Sequence, residues 1–303
     1  MFFVYLSYQN TTPEDRTNIL KYIKNADYRF VLLSAFFGIL SHISRAVRWQ
    51  FLLAPLGYRP KTINSFLAVL IGYFSNLGIP RSGELLRATA MDRYENIPFQ
   101  RGFGTVIAER VVDLALLVVC IILALVLQYD LILDYLKIEN LNFLQMGVGF
   151  VIVVIGLILF RKYFIPSSHP IIEKIKQFFQ GIWEGMMSIK LMENKGLFIA
   201  HTFFIWLMYV LMFWVIKFSI PETVNLGMNA MIPAFVIGGL SISATNGGIG
   251  IYPYSVSLVL IAFGVSKESS LAFGWITWTC QTLMIVAFGG MAFFALPLIN
   301  RKK

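Results

Sequence analysis

The stretch GTVIAERVVDLALLVVCIILALVLQ, Gly104–Gln128, decides the fold. A helix that spans a bilayer needs roughly 20 mostly apolar residues, and this run supplies them. Its first third nevertheless carries Glu109, Arg110 and Asp113. At 100° per residue the three fall within an arc of about 100°, so one face of the helix holds them all. Each charge at mid-membrane costs roughly 2.5–3.5 kcal/mol, and three cost about 8–10 kcal/mol. The other apolar side chains return about 0.3–0.6 kcal/mol each, a comparable total. Such a span inserts readily only if the charged face meets protein, water or a partner, which makes these residues functional candidates. Arg110 and Asp113, at i,i+3, can pair in part. Glu109 then needs a partner from elsewhere. The alternative is a helix that starts later and leaves the charges at the interface.

The rest of the chain has the same character. Of its 303 residues 57% are hydrophobic and only 14% charged, and the mean hydropathy is +0.71. The composition predicts an all-α fold, a polytopic transmembrane helical bundle of about 7–8 spans. The predicted spans are Phe30–Leu53, Ile63–Ile79, Gly104–Leu127, Phe143–Phe160, Leu197–Phe218, Met228–Ser243, Ile251–Gly264 and Leu271–Ile299. One integral membrane domain, 1–303, accounts for the whole chain. Residues 1–29 read as an N-terminal stub and surface segment, MFFVYLSYQ resembling the tail of a transmembrane helix rather than a signal peptide. Residues 161–196 read as an amphipathic cytoplasmic insert at the membrane surface.

The net charge of +9 fits basic cytoplasmic loops and contact with anionic lipid; no nucleic-acid module is visible. The acid-rich loop QYDLILDYLKIENLN is placed outside, and the segment after Arg161 and the RKK terminus inside, so the C-terminus is expected in the cytoplasm. Cys120 and Cys280 lie in apolar runs and read as small core residues. His169 and His201 read as structural or surface residues. No P-loop, HExxH, nucleophile elbow or metal-ligand spacing appears, so neither catalysis nor a cofactor is expected.

Three further stretches carry candidate site residues. In NLGIPRSGELLRA, Asn76–Ala88, Pro80 ends or kinks a helix, and Ser82 is a suitable N-cap for the next. Arg81, Glu84 and Arg87 follow at three-residue spacing. A helix start with two guanidiniums suits a phosphate, because arginine binds phosphate bidentately; an ordinary basic cytoplasmic loop explains the stretch as well. In SHISRAVRWQFLLAPLGY, Ser41–Tyr58, His42, Arg45 and Arg48 are spaced i,i+3 and Trp49 reads as an interfacial anchor, with arginine snorkelling an equal explanation. In SATNGGIGIYPYS a second helix break gathers Asn246, Gly247, Gly248, Gly250 and Tyr252. Two apolar spans precede each break, a weak internal repeat. Paired, interrupted hydrophobic segments of this kind point to a transporter's binding site.

SRAVRWQFLLAPLGY, NLGIPRSGELLRA, VIAERVVDLALL and NGGIGIYPYSVSLVLIAFGV occur in this order, and together the chain resembles the lysylphosphatidylglycerol synthase transmembrane-region family of flippase-like proteins. The resemblance implies a multi-pass protein of a bacterial or archaeal cytoplasmic membrane that moves an anionic lipid or lipid-linked headgroup between leaflets. It carries the family's charged motifs onto Arg45 or Arg48, Arg81, Glu84, Arg87, Glu109, Arg110 and Asp113. Arg81, Arg87 and Arg110 are expected to hold the phosphate, with Glu109 and Asp113 holding Arg110 or exchanging a proton. Expected partners are membrane lipids, with a homo-oligomer or an envelope enzyme as further candidates. The soluble aminoacyl-transfer domain of some relatives has no counterpart before Lys303, so lysyl-lipid synthesis is not expected. Thr245-Asn246 and Pro253-Tyr254 depart from the family pattern at the second break. Rival readings are a non-transporting subunit of an envelope complex and, third, an enzyme acting on a lipid phosphate.

Overall fold

The structure is a computed structural model that describes residues 11–127, 170–245 and 247–301, with side chains at all of these except 170–176 and 244. The predicted span Phe143–Phe160, the acid-rich loop, the stretch MFFVYLSYQ, His169 and Asn246 lie outside the described residues. The regular secondary structure among the described residues is helical. Among the described residues four helices are long and apolar enough to cross a membrane by length and composition, and three shorter apolar ones accompany them.

The first described helix, α1 (Pro13–Lys24), opens with a capping box in which the Thr12 and Asp15 side chains each bond the other's backbone N–H. Four helices then follow: α2 (Tyr28–Leu53), α3 (Thr62–Gly78), α4 (Ser82–Glu95) and α5 (Phe99–Leu127). After the undescribed segment come α6 (Pro170–Leu191), α7 (Lys195–Val215), α8 (Met228–Ala244), α9 (Ile251–Ala262) and α10 (Lys267–Ile299). The insert expected at 161–196 is largely α6, which packs along the start of α5 through an Arg101–Glu184 ion pair of 3.0 Å. Its Phe179 and Trp183 point outward.

The internal echo in the sequence is a structural repeat. Each half runs long helix, short helix, break, short helix, long helix: α2 to α5, then α7 to α10. The packing repeats too. The short pairs α3–α4 and α8–α9 fold as hairpins, α4 rests on α5 as α9 rests on α10, and α3 meets α10 as α8 meets α5. The long helices that open the two halves, α2 and α7, pack against each other. They run in opposite directions: the N–H of Asp27, capping the start of α2, donates to the carbonyl of Ser219 just past the end of α7. At the far end Asn64, at the start of α3, exchanges two side-chain hydrogen bonds of 2.9 Å with Asn300 after α10. The halves are therefore inverted, and the two hairpins enter from opposite ends.

Close approach of backbones makes the first hairpin. A Cβ on Gly83 would run into the Gly72 carbonyl oxygen. The side chain of Asn76 reaches from α3 to accept the N–H of Gly83 at 2.7 Å, capping α4. The expected N-cap, Ser82, is instead the first helical residue; Arg81 holds the cap position at φ 62. The Ser82 hydroxyl donates back to the Ile79 and Ser75 carbonyls. Physically, Pro80 forces a turn too tight for a serine cap, and the preceding helix supplies the acceptor. In the second hairpin Gly247, Gly248 and Gly250 all have positive φ, a backbone only glycine adopts without strain. The two breaks meet: a Cβ on Gly247 would sit 3.4 Å from Leu77 Cδ2.

Candidate functional site

The charged face of α5 turns inward. Glu109 and Asp113 are buried and meet arginines from two other helices. From α2, Arg45 Nη1 lies 2.7 Å from Asp113 Oδ2, and Arg48 Nη1 lies 2.8 Å from Asp113 Oδ1. Arg48 Nη2 also reaches Glu109 Oε1 at 3.4 Å. From α4, Arg87 Nη2 lies 2.8 Å from Glu109 Oε2. Arg110, half-exposed, pairs with Glu84 at 3.0 Å and only at 4.0 Å with its own-helix neighbour Asp113. Glu109 thus has the remote partners its position demanded. Arg110 is held by Glu84 rather than by Glu109.

Arg45 and Arg48 are 2% and 0% exposed. They do not snorkel to an interface. Trp49, expected as an interfacial anchor, is fully buried. Its indole N–H donates to Thr105 at 2.8 Å, and the Arg87 guanidinium stacks 4.2 Å from its ring centre. Gly72 leaves the room Arg87 needs, since a Cβ there would lie 2.8 Å from Arg87 Cγ. Arg81 alone of the first-half candidates stands apart: its left-handed backbone at the break points it outward, and it is exposed.

With all seven groups ionised, four guanidiniums (Arg45, Arg48, Arg87, Arg110) face three carboxylates (Glu84, Glu109, Asp113). One positive charge is left uncompensated. The network borders a cavity of ≈ 400 Å³ lying between the two halves. Its polar end carries His42, Arg45, Tyr73, Arg110, Asp113 and Tyr209. Its body is apolar, with Leu114, Phe213, Phe235 and Met284, and Tyr252 and Ser243 bring the second hairpin to its wall. Tyr252 is buried against Gly238, where a Cβ would collide with its ring. Gly247 serves the break itself, its carbonyl accepting the Trp278 indole N–H at 2.7 Å.

Residues of α7 complete the site without having signalled it in the sequence. Thr202 accepts from Arg48 at 3.1 Å, and Tyr209 accepts from Arg45 at 3.1 Å while sharing a hydrogen bond with Tyr73. Thr202, Trp206 and Tyr209 fall on one stripe of a helix at i, i+4, i+7, and that spacing is the signal that could have found them. His201 serves as expected of a structural residue, its Nδ1 2.8 Å from the Ser44 hydroxyl.

A buried arginine network joined to an inverted pair of hairpins is the arrangement that the four motifs build. Residues 2–289 match the family described as "Lysylphosphatidylglycerol synthase TM region". The chain belongs to this family. It is similar to UPF0104 membrane protein PH1989 of Pyrococcus horikoshii, at 25% identity over 84% of this chain and 83% of that protein. UPF0104 membrane protein MJ1595 of Methanocaldococcus jannaschii is 37% identical over 32% of this chain and 30% of its own length. Glycosyltransferase AglD of Haloferax volcanii is 33% identical over 33% of this chain. Those last two matches span only 30% and 16% of the relatives' own lengths. No solved structure matches. Family membership and the apolar helices make the chain a multi-pass membrane protein.

Proposed function

We propose that this protein is a lipid transporter that moves a lipid with an anionic, phosphate-bearing headgroup between leaflets. The observation that carries the reading is the cavity between the inverted halves, walled by apolar side chains and lined also by Arg45, Arg110 and Asp113 of an arginine network with one positive charge to spare. A headgroup crossing hydrocarbon unpaired pays several kcal/mol in lost hydration. Arg45 and Arg110 at the cavity's polar end offset that loss, and the apolar walls accept the start of the tail. Hairpins that enter from opposite ends and meet at their breaks supply a site reachable in turn from either leaflet. The basic C-terminus and α6 face the cytoplasm in this reading, by the bias of Lys and Arg.

The three carboxylates each pair with an arginine, which suits holding charge in place. A carrier is therefore favoured over an enzyme. One observation favours a second reading: the similarity to a glycosyltransferase suggests a chain that works beside an envelope glycosylation enzyme without transporting anything itself. Purified protein in liposomes separates the two. A labelled phosphatidylglycerol that exchanges leaflets with the protein present, and slows with Arg110→Ala, supports transport. Absence of flux together with co-purification of a stoichiometric enzyme supports the subunit reading.

A further inference from the structure

The cavity's polar end is rich in donors. Among the described residues, Arg45 Nε, Arg110 Nε and the Trp206 indole N–H are buried without a hydrogen-bond partner. All three can only donate. His42 differs. It lines the same cavity from α2, its ring 4.4 Å from that of Tyr73, and is 4% exposed. Both of its ring nitrogens are unpartnered among the described residues. A neutral imidazole presents one N–H and one bare nitrogen, so His42 asks for a donor as well as an acceptor. Among the described residues no donor is bonded to it: the Tyr73 and Tyr209 hydroxyls share one hydrogen bond, and Arg45 donates to Tyr209.

Resting on the transport reading above, we propose that His42 selects the headgroup, taking a hydroxyl of a polyol phosphodiester while the arginine end takes its phosphate. The donor the imidazole requires comes from the ligand. An ammonium is disfavoured, because Arg45 stands one turn away on the same helix and the network already carries excess positive charge. A phosphodiester without a free hydroxyl satisfies the arginines and leaves His42 unpaired. The site therefore takes glycerol-like or sugar-like phosphodiesters, and rejects aminoacylated and zwitterionic lipids.

The test uses full-length protein in nanodiscs offered dioleoyl-phosphatidylglycerol and dioleoyl-phosphatidylpropanol, which share charge and tail and differ in the headgroup hydroxyls. Retained lipid is read by native mass spectrometry. Wild type retains phosphatidylglycerol about tenfold over phosphatidylpropanol, roughly the value of one neutral hydrogen bond. His42→Phe removes the preference while phosphatidylpropanol is retained as before, and His42→Asn, which keeps a donor and an acceptor, restores it. Equal retention of both lipids by wild type, or an unchanged preference in His42→Phe, overturns the assignment. Flux of the same lipids in liposomes is scored separately. Lost preference in His42→Phe with no flux from wild type keeps the His42 assignment and defeats the transport reading.

Discussion

Glu109 is the residue on which the network turns. It is fully buried and shared between Arg48 and Arg87, so its loss strands Arg87, while Arg48 keeps its closer pair with Asp113. Breaking a buried pair by removing one partner costs about 3–5 kcal/mol. Glu109→Ala is predicted to destabilise the protein by about that amount, measured by thermal unfolding in detergent. Arg81→Ala, at an exposed position outside the network, should stay within about 0.5 kcal/mol. Equal stability of the two variants would contradict this description of the charged face. Much of the face was legible in the sequence. Insertion cost alone marked Glu109, Arg110 and Asp113 and required Glu109 to find remote partners. Spacing could not choose those partners. Arg45 and Arg48 looked as well suited to an interface as to a core, and Tyr73, Trp206 and Tyr209 lie among other aromatics in apolar runs, where only the i, i+4, i+7 stripe of Thr202, Trp206 and Tyr209 sets any apart.

At the scale of elements the account rests on helices that approach too closely for side chains. Gly289 and Gly290 on α10 make a matched test. A Cβ on Gly289 would lie 2.5 Å from Phe74 Cβ and 2.9 Å from the Leu70 carbonyl, whereas one on Gly290 meets nothing within 4 Å. Gly289→Ala should destabilise by about 1–3 kcal/mol through overpacking of α10 on α3. Gly290→Ala should be neutral or slightly stabilising, since alanine is the better helix former. Thermal unfolding of the two variants decides, and the reverse order would refute the packing. α1 carries a pH prediction. The Thr12 backbone N–H, and after it Lys267, hold the Asp15 carboxylate down from 3.8 to about 2. A depressed folded value means the stabilisation is complete above the ordinary value and fades as pH falls through about 2. Hydrogen exchange in α1 should therefore stay slow as pH falls to the ordinary range and quicken only below it. The two breaks were legible from their Gly and Pro content. The cap was not, because Asn76 acts from the helix before and no local pattern announces it.

For the whole molecule, the inverted halves put the Asn64–Asn300 end and the Asp27–Ser219 end on opposite faces. After Cys120 and Cys280 are replaced, Glu222→Cys should react with an impermeant maleimide added to intact cells, and Arg301→Cys only once the membrane is opened. Labelling of both from one side would exclude the inverted arrangement. The sequence showed two echoing breaks and no more, because repeats whose helices share packing but not residues leave little trace in one chain. Only in three dimensions does α3 on α10 answer α8 on α5. In the proposed transport, the arginine end of the cavity carries a lipid phosphate across the bilayer. Its most direct test is leaflet exchange of labelled phosphatidylglycerol in proteoliposomes containing wild type, Arg45→Ala or Arg110→Ala. Exchange should run well above protein-free liposomes for wild type and fall about tenfold or more for each variant, one charge-assisted hydrogen bond or more. Variants that exchange lipid as fast as wild type would contradict it.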